Sequence, residues 1–161
     1  MEDKLVKLET KISWYKFWLL KHGINDYELV VDGDNLLVNV TGDVYLKLNS
    51  MDGISVKFGR VGGNFDCSSS GLEDLIGCPT YVGGNFVCNN NKGVTDLTGC
   101  PSEIVGNFDC SHNELISLDG CAVIVGGHFD CSYNKLSSLE SGPKKVGGDY
   151  DCCRNRSLSL Q

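Results

Sequence analysis

From about Thr41 onward the apolar positions of this chain recur every 21 residues. The segments VGGNFDC (61–67), VGGNFVC (82–88), VGNFDC (105–110), VGGHFDC (125–131) and VGGDYDC (146–152) mark the repeat. Their aromatic residues, Phe65, Phe86, Phe108, Phe129 and Tyr150, are spaced by 21, 22, 21 and 21, the extra residue falling in NNNKGV. A degenerate coil precedes them. Displaced by 21, Val44 falls on Phe65, Leu46 on Cys67, Met51 on Leu72 and Ile54 on Leu75. Such a period marks a solenoid, in which each unit buries its apolar face against its neighbours. Within a coil, Phe-Asp-Cys alternates apolar, polar, apolar, the signature of a short strand buried on one face. The pattern predicts six coils over 41–161, the first degenerate and the last truncated, with their strands stacked in parallel.

Residues between the strands read as punctuation. The Gly-Gly pairs and the segments Gly77-Cys78-Pro79 and Gly99-Cys100-Pro101 supply turn chemistry. The convex side is too short and Gly-rich for full helices, so turns are expected there. Asn91, Asn113, Asn134 and Asn155 share one column after the strand, with Ser70 in their place in the first full coil. An amide at that turn can bond backbone groups of adjacent coils that stacking would otherwise orphan.

A solenoid must cover the apolar end of its first coil. Residues 1–40 are expected to form this cap. In 2–22, Leu5, Leu8, Ile12, Tyr15 and Leu19 recur at helical spacing beside Trp14 and Trp18, and Gly23 is a natural stop. Over 27–40, YELVV and LLVNV flank Asp32-Gly33-Asp34-Asn35, a hairpin signal. Either the helix only caps the stack, or its exposed aromatic residues also meet a partner.

The coil GHFDCSYNKL (127–136) resembles the core of the leucine-rich repeat, with Phe129, Cys131, Asn134 and Leu136 at the repeat's fourth, sixth, ninth and eleventh positions. The resemblance covers roughly residues 24–161. It implies an α/β repeat solenoid, a leucine-rich-repeat-like parallel β stack with a mostly non-helical convex side, capped by the N-terminal helix and β-hairpin. The wording VGGxFxCSxNxL is similar to short bacterial and bacteriophage repeats. That likeness implies a small virus-encoded protein acting on a bacterial host factor, such as a defence or regulatory protein.

Charge and composition narrow the function. The net charge is −7, and residues 61–161 hold twelve acids against six bases. That balance disfavours direct binding to phosphate backbones. No apolar run reaches the roughly 18 residues that a membrane helix needs, and the acids Glu2, Asp3 and Glu9 read poorly as part of a signal peptide. Five of the nine cysteines recur in one repeat column and three in another, as small buried apolar residues do. They are expected to be reduced thiols in a cytoplasmic protein.

Candidate chemistry is sparse. Cys67 with Cys78, or Cys152 with Cys153, lacks zinc-finger spacing, and the glycine-rich phosphate loops are absent. No cofactor, metal or catalytic group is expected. The outward strand column, Asp66, Val87, Asp109, Asp130 and Asp151, forms an acidic strip with His112, His128, Tyr133 and Arg154 nearby. It is either a solvated ladder or a recognition strip for a protein with a basic surface. His128 is read as an exposed variant at its repeat position, the alternative being a pH-sensitive pair with Asp109 or Asp130. At the other end no cap follows Tyr150, Cys152 and Leu158, so either the final residues fold over the exposed edge or a second copy covers it as a homodimer. Three readings remain: a protein-binding module, an assembly protein that self-associates through that end, or an acidic nucleic-acid mimic.

Overall fold

The computed structural model describes residues 2–49 and 53–155. Helix α1 (Glu2–Lys21) is followed by strands β1 (Glu28–Asp32) and β2 (Asn35–Val40), then by pairs of short strands. These are β3 (Val44–Tyr45), β4 (Phe58–Val61), β5 (Phe65–Asp66), β6 (Tyr81–Val82), β7 (Phe86–Val87), β8 (Glu103–Ile104) and β9 (Phe108–Asp109). The series closes with β10 (Ile124–Val125), β11 (Phe129–Asp130), β12 (Lys145–Val146) and β13 (Tyr150–Asp151). Successive coils stack in parallel, Val44 on Phe65, Phe65 on Phe86, and so on to Tyr150. The molecule is a parallel β-solenoid of about five turns.

Each coil carries two strands, where the Phe-Asp-Cys pattern predicts one. A six-stranded sheet runs β3-β5-β7-β9-β11-β13, and a seven-stranded sheet runs β1-β2-β4-β6-β8-β10-β12. The Gly-Gly pair is the corner between them. The second strand escapes the pattern because only its inward residue is constant in type, its outward column running Arg60, Tyr81, Glu103, Ile124 and Lys145, so no apolar–polar–apolar triplet recurs. Its inward residues are Val61, Val82, Ile104 and Val125, all wholly buried. Ile104, not Val105, stands over Val82. The motif at 105–110 is therefore offset by one residue, and Val105 occupies the first-glycine position with its side chain exposed.

The core is a set of stacked columns. Phe65, Phe86, Phe108 and Phe129 are fully buried, and adjacent rings lie 5.2–5.9 Å apart. Cys67, Cys88, Cys110 and Cys131 form the next column, equally inaccessible. Leu75, Leu97 and Leu118 fill the third side, while the equivalent Leu139 is 37% exposed in the last described turn. That third side is turns rather than helix. Gly77, Gly99 and Gly120 there have φ of +95, +94 and +81°, a region that side-chain-bearing residues rarely adopt.

At the other end β1 pairs antiparallel with β2, and β2 pairs parallel with β4. The hairpin thus supplies the first rung of the seven-stranded sheet. Tyr15, Trp18 and Leu19 of α1 are buried against this end, with Trp18 edge-on to Phe58 at 6.4 Å. Tyr15 Oη accepts the Lys57 N–H at 3.2 Å. Leu5, expected on the packed face, is instead 58% exposed.

Candidate functional site

The outer face of the six-stranded sheet is built from three neighbouring columns. Asp66, Val87, Asp109, Asp130 and Asp151 are in register, which sets adjacent members about 4.8 Å apart. Each aspartate uses Oδ1 to accept the N–H two residues on: Ser68 at 2.9 Å, Ser111 at 3.0 Å, Ser132 at 2.9 Å and Cys153 at 2.8 Å. The strip is therefore also a row of Asx turns that carry the chain off the strand. The Cys153 backbone N–H holds the Asp151 carboxyl below the usual carboxylate range. Asp109 receives two further bonds, from Ser111 Oγ and Asn89 Nδ2.

The turn that follows places one residue per coil in the left-handed region. Ser69, Asn90, His112, Tyr133 and Arg154 have φ between +52 and +58°. Asparagine tolerates this conformation, whereas large side chains occupy it at a cost. Here His112 and Tyr133 stack face to face, 4.2 Å between centroids and 12° between planes. The Arg154 guanidinium lies 6.0 Å from the Tyr133 centroid. Beside this stair runs an open groove of about 430 Å³ lined by Lys92, Glu114 and Lys135 as well as His112, Tyr133 and Arg154. Lys135 Nζ is paired with Glu114. The sequence reading missed Lys92, Glu114 and Lys135, whose only signal is their place just after the asparagine column or beside it.

His128 is not part of that stair. It belongs to the corner column Asp43, Asn64, Asn85, Asn107, His128, in which each side chain accepts the backbone N–H of the next coil. His128 Nδ1 accepts the Asp149 N–H at 2.9 Å and lies 3.2 Å from Asp149 Oδ2. It is an exposed variant of the corner column, and its carboxylate neighbour is Asp149 rather than Asp109 or Asp130. Accepting at Nδ1 places the neutral ring's proton on Nε2.

The buried asparagines perform the role their spacing suggests. Asn113 Nδ2 donates to the Cys88 and Cys110 carbonyls, and its Oδ1 accepts the Asn91 N–H. Asn134 and Asn155 repeat the pattern, bonding Leu115 and Leu136. All nine cysteines are free thiols. Desolvation pushes Cys88 and Cys110 well up, and Cys121 and Cys131 up to about 12. These four stay protonated at neutral pH.

Of the residues expected at a self-associating end, Tyr150 is 38% exposed and meets Phe129 edge-on at 4.8 Å. Cys152 is half-buried, and Leu158 lies outside the described residues. Among the described residues no group of three or more His, Cys, Asp or Glu could hold a metal ion, and no helix is long and apolar enough to cross a membrane.

Geometry defines the class as a β-solenoid with one chemically varied face. No protein-family model matches the chain, and neither the curated proteins nor the solved structures compared with it give a match.

Proposed function

We propose that this protein is a non-enzymatic binding module that engages another protein through the outer face of the six-stranded sheet. One observation carries the reading. At the left-handed position, which glycine, asparagine and histidine adopt most readily, the chain holds Tyr133 and Arg154 next to His112. Packing of the coil does not require those side chains, since His112 and Tyr133 are exposed. Strain kept at an exposed, stacked position points to recognition.

The strip of Asp66, Asp109, Asp130 and Asp151 beside the stair suits a partner surface rich in Lys and Arg. The likeness of the coils to short leucine-rich repeats of bacteria and bacteriophages supports a finer reading. In it, a virus-encoded protein acts in the bacterial cytoplasm by binding and inhibiting a host defence or regulatory protein.

Affinity capture from bacterial lysate with the full chain as bait names the partner. Tyr133→Ala with Arg154→Ala, and Asp109→Asn with Asp130→Asn, should each release it. Asparagine keeps the Oδ1 acceptor of the Asx turn, so the second pair removes charge without removing the turn. Capture unaffected by both pairs would sink the proposal. Displacement of the chain from its partner by DNA or RNA would identify it as an acidic nucleic-acid mimic.

A further inference from the structure

Helix α1 is apolar on both sides. Tyr15, Trp18 and Leu19 face the solenoid, while Val6, Phe17 and Leu20 are 58, 66 and 68% exposed. At 3.6 residues per turn those three share one line with Thr10 and Ser13, on the side away from the core. The two hydroxyls on that line are already satisfied within the helix. Thr10 Oγ1 donates to the Val6 carbonyl at 2.9 Å, and Ser13 Oγ to the Glu9 carbonyl at 3.0 Å. The stripe can therefore leave water without orphaning either donor. Small side chains at its centre also allow a second backbone to approach closely.

We propose that this stripe pairs with the same stripe of a second copy, the two helices antiparallel about a twofold axis near Ser13. Charge selects that occupant. Glu9 and Lys16 border the stripe on the same flank, and a twofold axis brings like flanks together. Glu9 then lies beside the partner's Lys16, and the contact is made twice. Val6 faces the partner's Leu20, and Ser13 faces its own counterpart. Lys7 and Lys21, on the other flank, stay at the solvated rim. An anionic bilayer is the poorer occupant, because Glu9 borders the stripe and the chain carries −7 overall. The stripe spans about 21 Å of helix at 1.5 Å per residue. So small an interface belongs to the weak class. This pairing uses the capped end of the stack and does not depend on what the strand face binds.

Sedimentation velocity on the full chain, from micromolar to millimolar concentration, should show a monomer–dimer equilibrium. Phe17→Glu with Leu20→Lys should weaken it at least tenfold. Glu9→Lys alone should weaken it, and Glu9→Lys with Lys16→Glu should restore it. Ser13→Cys in a Cys153→Ser background should cross-link to itself under mild oxidation. All these side chains are exposed, so circular dichroism should be unchanged. Three results overturn the proposal: a monomer throughout with no Ser13→Cys cross-link; a dimer insensitive to the helix variants but lost on Tyr150→Asp; or a monomer whose stripe instead binds phosphatidylglycerol vesicles.

Discussion

Gly127 sits where an added Cβ would overlap Oδ1 of Asn107 in the preceding coil. That oxygen is the acceptor for the His128 N–H. The second glycine of the pair thus exists to admit the corner ladder, and the same crowding recurs at Gly63, Gly84, Gly106 and Gly148. Gly127→Ala must push Asn107 aside and break its bond, at a cost of about 2–3 kcal/mol. Val105→Gly, at the neighbouring first-glycine position, should change stability by less than about 1 kcal/mol. Urea unfolding of the two variants checks the contrast, and equal effects would refute the ladder account.

Asn113 is buried and bonds both the coil before it and its own. Asn113→Ala removes three bonds and orphans the buried Asn91 N–H, while the Cys88 and Cys110 carbonyls keep Asn91 and Asn134 as donors. The expected loss is at least about 1–3 kcal/mol. Asn113→Asp should be worse, because it buries a carboxylate against the Cys88 and Cys110 carbonyl oxygens, where the charge is desolvated and repelled. Chemical denaturation with both variants tests the order.

Phe108 and Tyr133 are aromatic residues on opposite sides of the same wall. Phe108→Ala empties a fully buried site and should cost about 3–5 kcal/mol. Tyr133→Asn loses a stacked pair worth about 0.5–1.5 kcal/mol but relieves left-handed strain of similar size. Its melting temperature should stay within a few degrees of the parent while partner binding falls. A large stability loss in Tyr133→Asn would mean that the stair is structural.

Asp43 accepts the Asn64 N–H and, at 3.0 Å, the Tyr45 hydroxyl. The backbone bond first, then the hydroxyl, holds its carboxyl below the ordinary value of 3.8. A folded value lower than the unfolded one contributes stability above about pH 4. That contribution fades as pH falls through the lowered folded value. Thermal melts between pH 2 and 7 should show a shallower acid-side decline for Asp43→Asn than for the parent.

Much of this was legible because nearest-neighbour burial writes itself into every coil. Phe65, Phe86, Phe108 and Phe129 occupy equivalent wells, so each is aromatic; Asn91, Asn113, Asn134 and Asn155 meet equivalent carbonyls, so each is an amide. Terminal units broke the pattern. Leu139 and Tyr150 match the buried columns in type but are partly exposed, because the described stack offers them fewer neighbours. The offset at Ile104 and Val105 was hidden because two adjacent apolar residues present the motif equally well in either frame.

The 21-residue period, the inward columns, the asparagine ladder and the helical cap follow from residue types alone, since each reflects a burial or hydrogen-bonding demand made again in every turn. The tertiary structure decided the rest. The second sheet arises from backbone bonds between coils, which residues as different as Tyr81, Glu103, Ile124 and Lys145 all support. The His112–Tyr133 stack and the acidic strip's second role as Asx turns depend on φ and on the distance between coils. Side-chain identity constrains neither, so only the folded stack could bring those groups together.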